Sequence, residues 1–129
     1  MPHLVIDYSP NLGDLVDIPA VLEAGRRAMV ETGIFPLGGI RVRAHRADHA
    51  IVADGDPRHA HLAAELRNGP GRDRETQKRA GEHLFSALSA ALEPAFARTS
   101  VALSLEIREL DAELGWKRNT VHGAVAAHG

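Results

Sequence analysis

Three arginines stand where their side chains could bind an acidic ligand. Arg41 and Arg43 lie two residues apart in the alternating segment 40–45, so both are predicted to leave the same face of a strand. Arg72 ends a glycine-containing loop just before a predicted helix, where free backbone N–H groups also favour anions. Guanidinium groups make planar, paired hydrogen bonds to carboxylates. Taken alone, Arg41 and Arg43 fit a solvent-facing strand better than a site, and Arg72 fits a helix-end charge.

The eight histidines suggest a second kind of chemistry, metal binding. His59 and His61 share one face of a predicted strand, and His45 and His49 are four residues apart. No HExxH motif and no Cys/His pattern accompanies them, and the chain has no cysteine. We therefore expect no metal and assign most of these histidines to polar surface or to contacts between subunits.

Length and composition predict one domain over residues 1–129. A hydrophobic fraction of 44% is enough for a core and argues against a disordered chain. The net charge of −2 argues against nucleic acid as a partner. The apolar run at 4–6 is too short for a signal peptide, and no stretch approaches a membrane span. With no cysteine present, a cytoplasmic protein without a membrane partner is expected.

The elements that must position these residues follow the order strand, helix, strand, twice. The first unit, about residues 2–52, contains a strand over 2–8, a helix over 17–33 and a strand that starts at 40 and extends as far as about 52. The second unit, about residues 58–110, contains a strand over 59–67, a helix over 73–93 and a strand over 101–110. Residues 111–129 form a C-terminal segment with no predicted structure.

Two such units predict an α/β fold, specifically an α+β two-layer sandwich. Each crossover should be right-handed and should make its two strands parallel. Both helices would cover one face of a four-stranded sheet. The other face needs a cover as well, and a partner subunit is the natural candidate.

Several segments of the sequence resemble those of one known family. In chain order they are MPHLVIDYS at 1–9, TGIFPLGGIRVR at 32–43, GPGR at 69–72, AGE at 80–82, LF at 84–85, LSLEI at 103–107 and NTVH at 119–122. Together they are similar to the 5-carboxymethyl-2-hydroxymuconate isomerases, members of the tautomerase superfamily. The resemblance covers nearly the whole chain and is weakest at 44–60 and after residue 122.

This resemblance implies a homotrimer of tautomerase-like tandem βαβ subunits that needs no metal and no cofactor. The implied activity converts a dienol with three carboxylates to its conjugated keto isomer, in the bacterial degradation of homoprotocatechuate. The base of the family is an N-terminal proline, which corresponds to Pro2 once Met1 is removed. An apolar pocket with nearby arginines would lower the pKa of that amine towards neutrality.

On this basis we predict Pro2 as the proton shuttle. Arg72 and Arg41 are predicted to act with it by holding a carboxylate or the developing oxyanion, and Arg43 is a third candidate for substrate binding. Trp116 and Phe85 are expected to be packing residues.

Two alternatives stay open at this point. The chain could be another tautomerase-superfamily enzyme that acts on a related unsaturated keto or enol acid. It could also be a catalytically silent trimeric binding protein. A retained Met1 would favour the silent protein, because it turns the nitrogen of Pro2 into a tertiary amide that cannot act as a base.

Overall fold

The computed structural model describes residues 1–128 and contains a mixed four-stranded sheet. The strands are β1 (His3–Tyr8), β2 (Arg41–Arg46), β3 (Ala60–Asn68) and β4 (Val101–Glu109), in the spatial order β2-β1-β3-β4. β1 is parallel to β2 and β3 is parallel to β4, whereas the central pair β1–β3 is antiparallel. The two predicted strand–helix–strand units are therefore confirmed, and they meet through that antiparallel pair.

Two long helices, α1 (Ile18–Glu31) and α2 (Arg74–Ala91), pack against each other and against the sheet. α2 begins after Asp73, whose carboxylate accepts a hydrogen bond from the backbone N–H of Thr76 at 2.7 Å. The remaining helices are 3-10 turns at Pro10–Asp14 and Leu37–Gly39, the single turn α3 (Glu93–Phe96) and α4 (Val121–His128). The two-layer α+β sandwich is confirmed. Among the described residues, none of the helices combines the length and the apolarity that a membrane span requires.

The sheet has an apolar face and a polar face. Alternate residues of the central strands, such as Leu4 and Ile6 of β1 and Leu62 and Leu66 of β3, are buried beneath the helices. The intervening residues form the open face, which is polar at most positions: His3, Val5, Asp7, Arg41, Arg43, His45, His61, Ala63, Glu65, Arg67, Ala102, Ser104, Glu106 and Arg108. Both arginines predicted to share a strand face lie on it.

β2 is shorter than the sequence predicts. It ends at Arg46 and not near Val52, because β2 is an edge strand and its neighbour β1 ends at Tyr8. Tyr8 is paired with Arg46, and its carbonyl accepts a last hydrogen bond from the N–H of Ala47 at 2.9 Å. After β1, the chain leaves the sheet in the turn Pro10–Asp14. Residues 48–52, which follow β2, therefore have no strand beside them.

Helix α4 lies against the turn Leu37–Gly39. A Cβ atom on Gly38 would stand 2.6 Å from Nδ1 and 2.8 Å from Cα of His122, so only glycine leaves room for this contact. Asn119 joins the same two elements, because its Nδ2 donates to the Gly38 carbonyl at 2.9 Å and its Oδ1 accepts from the N–H of Val121 at 2.7 Å. The turn therefore determines where the C-terminal segment lies.

The Gly38→Ala variant tests this contact. The added methyl group should displace α4 and reduce the free energy of unfolding by about 1–3 kcal/mol, the usual cost of overpacking. Hydrogen exchange of residues 121–128 should become faster, and the thermal midpoint should fall. The control is Gly13→Ala, because a Cβ atom on Gly13 meets nothing within 4 Å. Unchanged exchange in α4 of Gly38→Ala would contradict the assignment.

Candidate active site

A cavity of about 560 Å³ opens at the end of the sheet where β1 begins and where β3 and β4 end. Its walls come from four parts of the chain. They are the N-terminal residues 1–3, the turn residues Pro36 and Gly39, the loop residues Gly69, Pro70 and Arg72, and a C-terminal set with Leu110, Asp111, Ala112, Gly115, Trp116, Lys117 and His122. Both ends of the chain therefore contribute to the same cavity.

Pro2 is buried and lines this cavity. Its carbonyl accepts a hydrogen bond from the N–H of Arg41 at 3.0 Å, which fixes it beside β2. A Cβ atom on Gly39 would be 3.3 Å from Cδ of Pro2, so this glycine lets the turn approach the ring. With Met1 in place, the nitrogen of Pro2 is a tertiary amide and has no basic lone pair.

Arg72 also lines the cavity, and its guanidinium is held firmly from one side. Nη2 and Nε donate to the carbonyl of Ile34 at 2.8 and 3.3 Å. The guanidinium carbon lies 4.9 Å from the centre of the Phe35 ring, a cation–π contact. No carboxylate among residues 1–128 forms an ion pair with Arg72, so its charge is available to a ligand.

Arg41 lies next to the N-terminus but does not line the cavity. Its Nη1 donates to the carbonyls of Gly38 and Ile40 at 3.2 and 3.3 Å. Its Nη2 is 3.6 Å from the sulfur of Met1, so the first side chain of the protein rests against this guanidinium.

Arg43 is separated from the cavity, although it shares a strand face with Arg41. Its Nη1 lies 3.0 Å from Nδ1 of His3. Because a guanidinium can only donate, Nδ1 of His3 must accept this hydrogen bond. The structure thus brings Pro2 and Arg72 together, keeps Arg41 beside the N-terminus and places Arg43 against His3.

The C-terminal wall contains two residues that the sequence analysis does not assign to the site. Lys117 and Trp116 both line the cavity. Trp116 is 86% exposed and lines the cavity, so the expectation that it is a packing residue is wrong for the described chain. Phe85 does not line this cavity and is partly exposed on α2. The NTVH motif at 119–122 was the available signal, since it begins two residues after Lys117 and its last residue, His122, belongs to the same wall.

The charges around the cavity act on the N-terminal amine. Burial is the largest cause that lowers the pKa of the Met1 amine, followed by the Lys117 ammonium and then by Arg72 and Arg41. An amine at this end of the chain is therefore biased towards its neutral, basic form.

The pKa of His3 is lowered as well, which favours its neutral form. Burial lowers its pKa most, and the positive charges of Arg43, Arg67 and Arg41 add to the effect. A neutral His3 with a free Nδ1 is also what the contact with Arg43 requires.

The other histidines considered for metal binding contact acidic and hydroxyl groups. His59 lies between Asp54, 2.8 Å from its Nε2, and the hydroxyl of Ser100. His61 pairs with Asp7 at 3.1 Å. Within residues 1–128, no three His, Asp or Glu side chains are grouped as metal ligands would be.

Comparison with known proteins identifies the family. The sequence matches the family model for 5-carboxymethyl-2-hydroxymuconate isomerase over residues 2–125. The 5-carboxymethyl-2-hydroxymuconate Delta-isomerase of Escherichia coli is 37% identical over 122 residues, which are 95% of this chain and 97% of that protein. The chain belongs to the 5-carboxymethyl-2-hydroxymuconate isomerase family. It is an isomerase, as the resemblance of its motifs implied.

Solved structures agree with this membership of the 5-carboxymethyl-2-hydroxymuconate isomerase family. The family member from Deinococcus radiodurans R1 superposes with a TM-score of 0.89 at 35% identity, over 96% of this chain and 93% of that one. A fused 4-OT wild-type symmetric trimer superposes with a TM-score of 0.65 at 13% identity, over 90% of this chain and 93% of that one. The second likeness shows the shared tautomerase-like fold alone.

The lowered pKa of His3 predicts a stability that depends on pH. The unfolded chain takes up a proton at His3 at a higher pH than the folded chain does, so this contribution is present above pH ~6.5 and is lost on acidification. Between pH 7.5 and pH 5.5, His3→Asn should therefore lose less stability than the wild type in urea unfolding at equal protein concentration. His49→Asn, at an exposed turn position, serves as the control. Equal losses in His3→Asn and in the wild type would contradict this prediction.

Proposed function

We propose that this protein converts 5-carboxymethyl-2-hydroxymuconate, a dienol with three carboxylates, to its conjugated keto isomer through Pro2. One observation carries the proposal. Pro2 is buried at the edge of a cavity into which Arg72 and Lys117 bring positive charge. The name of the Escherichia coli relative supports the choice of substrate. The degradation of homoprotocatechuate and the cytoplasm are the corresponding pathway and compartment.

The reaction moves one proton and changes no oxidation state. The enol O–H bond breaks, the oxygen forms a carbonyl, the double bond shifts, and a C–H bond forms. One amine that first accepts the proton from oxygen and then delivers it to carbon is sufficient. The conversion therefore requires neither a metal nor a redox cofactor.

The amine of Pro2 suits this task once Met1 has been removed. A free α-amino group has an ordinary pKa of ~7.7–8.0. The burial and the three cations that lower the pKa of the Met1 amine would act in the same direction one residue further along. A base whose pKa lies near the working pH is the most effective in proton transfer.

Arg72 and Arg41 would bind the carboxylates or the oxyanion. Arg72 is already fixed by Ile34 and Phe35, so little freedom is lost when an anion binds to its remaining N–H groups. Loss of Met1 would uncover Nη2 of Arg41. Arg43 stays a weaker candidate, because its Nη1 already contacts His3.

Replacement of the base tests the mechanism. In protein whose intact mass shows loss of Met1, Pro2→Ala should reduce kcat for dienol isomerisation by about 10²-fold or more, the range of general acid–base catalysis. The change in ultraviolet absorbance of the dienol measures the rate. The control Pro57→Ala, at an exposed turn position, should keep full activity. Because the variant keeps a primary α-amine, full activity of Pro2→Ala would contradict the expected loss and show that the proline ring is not required. An inactive wild type that retains Met1 in its own host would favour the silent binding protein.

We further propose that the chain forms a homotrimer in which the open sheet face is covered by neighbouring subunits. The face already pairs its own charges, since Glu65 contacts Arg108 at 3.0 Å and Arg67 at 3.7 Å. Paired charges can be buried at a lower cost than isolated ones. Leu114 and Trp116, 71% and 86% exposed, offer apolar surface for a neighbour as well. The symmetric trimer among proteins of the same fold supports this choice of oligomer.

The Ala63→Asp variant tests the trimer. Ala63 lies on the open face opposite Asp7 and two residues from Glu65, so a further carboxylate there would be buried among like charges. In sedimentation equilibrium the wild type should have three times the chain mass of 13.9 kDa, and Ala63→Asp should shift towards the monomer. Ala90→Asp, on the exposed side of α2, is the matched control. A monomeric wild type would exclude the trimer.

A further inference from the structure

Lys117 is a further cation at the cavity, in addition to the three arginines predicted to bind the substrate. It lines the cavity together with Pro2 and Arg72. The positive charge of its ammonium group is one of the causes that lower the pKa of the Met1 amine. Lys117 is therefore close to the N-terminal amine that is proposed to react.

The charge of Lys117 is not neutralised by an ion pair within residues 1–128. The acidic side chains that form ion pairs there are bound to arginine or histidine. Asp111, the acidic residue of the cavity wall, forms no ion pair with Lys117. A positive charge kept in a concave site without an acidic partner fits an anionic ligand.

Lys117 is exposed, and the chain that follows it is anchored. Two residues later, Asn119 donates to the carbonyl of Gly38, and α4 then packs on the same turn. This anchoring places the segment that directly follows Lys117 against the turn Leu37–Gly39. Arg118, the next residue, is exposed and does not line the cavity.

The cations near the N-terminus match the proposed substrate in number. Arg72 and Lys117 line the cavity, Arg41 lies behind the side chain of Met1, and the proposed dienol has three carboxylates. We propose that Lys117 determines specificity by binding one of these carboxylates, so that the cavity prefers a tricarboxylate to the dicarboxylate that lacks it. This inference rests on the proposed function and adds a substrate-binding residue to it.

Two unreactive probes test the inference apart from catalysis. Propane-1,2,3-tricarboxylate and pentanedioate have the same five-carbon backbone and differ by the central carboxylate. Calorimetric titration of the processed protein should show tighter binding of the tricarboxylate. Lys117→Met should weaken binding of the tricarboxylate by roughly 10-fold or more, as expected for a hydrogen bond to a charged group, and should change binding of pentanedioate by less than about threefold.

Two further variants separate a specific contact from general charge. Arg118→Met removes the same charge one residue away and should leave both affinities unchanged. Lys117→Arg keeps a cation in place and should retain most of the preference. In the dienol assay, the loss in Lys117→Met should appear in KM far more than in kcat.

The outcomes distinguish this inference from the isomerase mechanism. Equal binding of the two probes by the wild type, or an equal loss for both in Lys117→Met, would overturn the role of Lys117 even if Pro2→Ala shows that the isomerase mechanism holds. The wild type could also convert no dienol while Lys117→Met selectively loses affinity for the tricarboxylate. That result would support Lys117 as the carboxylate-binding residue and reject the isomerase mechanism.

Discussion

The close approach of His122 to Gly38 is the constraint on which the rest of the site depends. No side chain fits between them, so a single missing methyl group allows α4 to lie on the turn before β2. That turn also packs against Pro2 through Gly39. One short glycine pair therefore positions the proposed base on one side and the C-terminal wall of the cavity on the other. Without this contact the C-terminal wall would not be held beside the N-terminus, and that end of the sheet would be more open to solvent.

The positive charges in and beside this cavity have two effects. Arg72, Arg41 and Lys117 attract an acidic ligand, and the same three groups lower the pKa of an amine at the N-terminus. The two effects also balance each other, because a bound carboxylate would partly cancel the cations and raise the basicity of the amine. The amine would thus be readiest to accept a proton when the substrate is already in place.

The order of the elements follows from local patterns, and the site follows from them only in part. Alternation and caps predict β1, α1, α2 and β4 closely, and the crossover rule predicts which strands are parallel. The end of β2 could not be predicted from its own residues, because it depends on where β1 stops. Arg41 and Arg43 share a face, but two residues along a strand are about 6.6 Å apart, so a shared face is not a shared site. The exposed wall with Trp116 and Lys117 depends on a contact between residues 38 and 122, which no periodicity encodes.

The meeting of both chain ends at one cavity has a consequence for the order of events during biosynthesis. Met1 is synthesised 118 residues before Asn119, whose Nδ2 lies 3.4 Å from its sulfur in the folded chain. An aminopeptidase that acts on the nascent chain would meet an uncovered N-terminus, since the wall that encloses Met1 has not yet been synthesised. Maturation is thus easiest before the fold is complete.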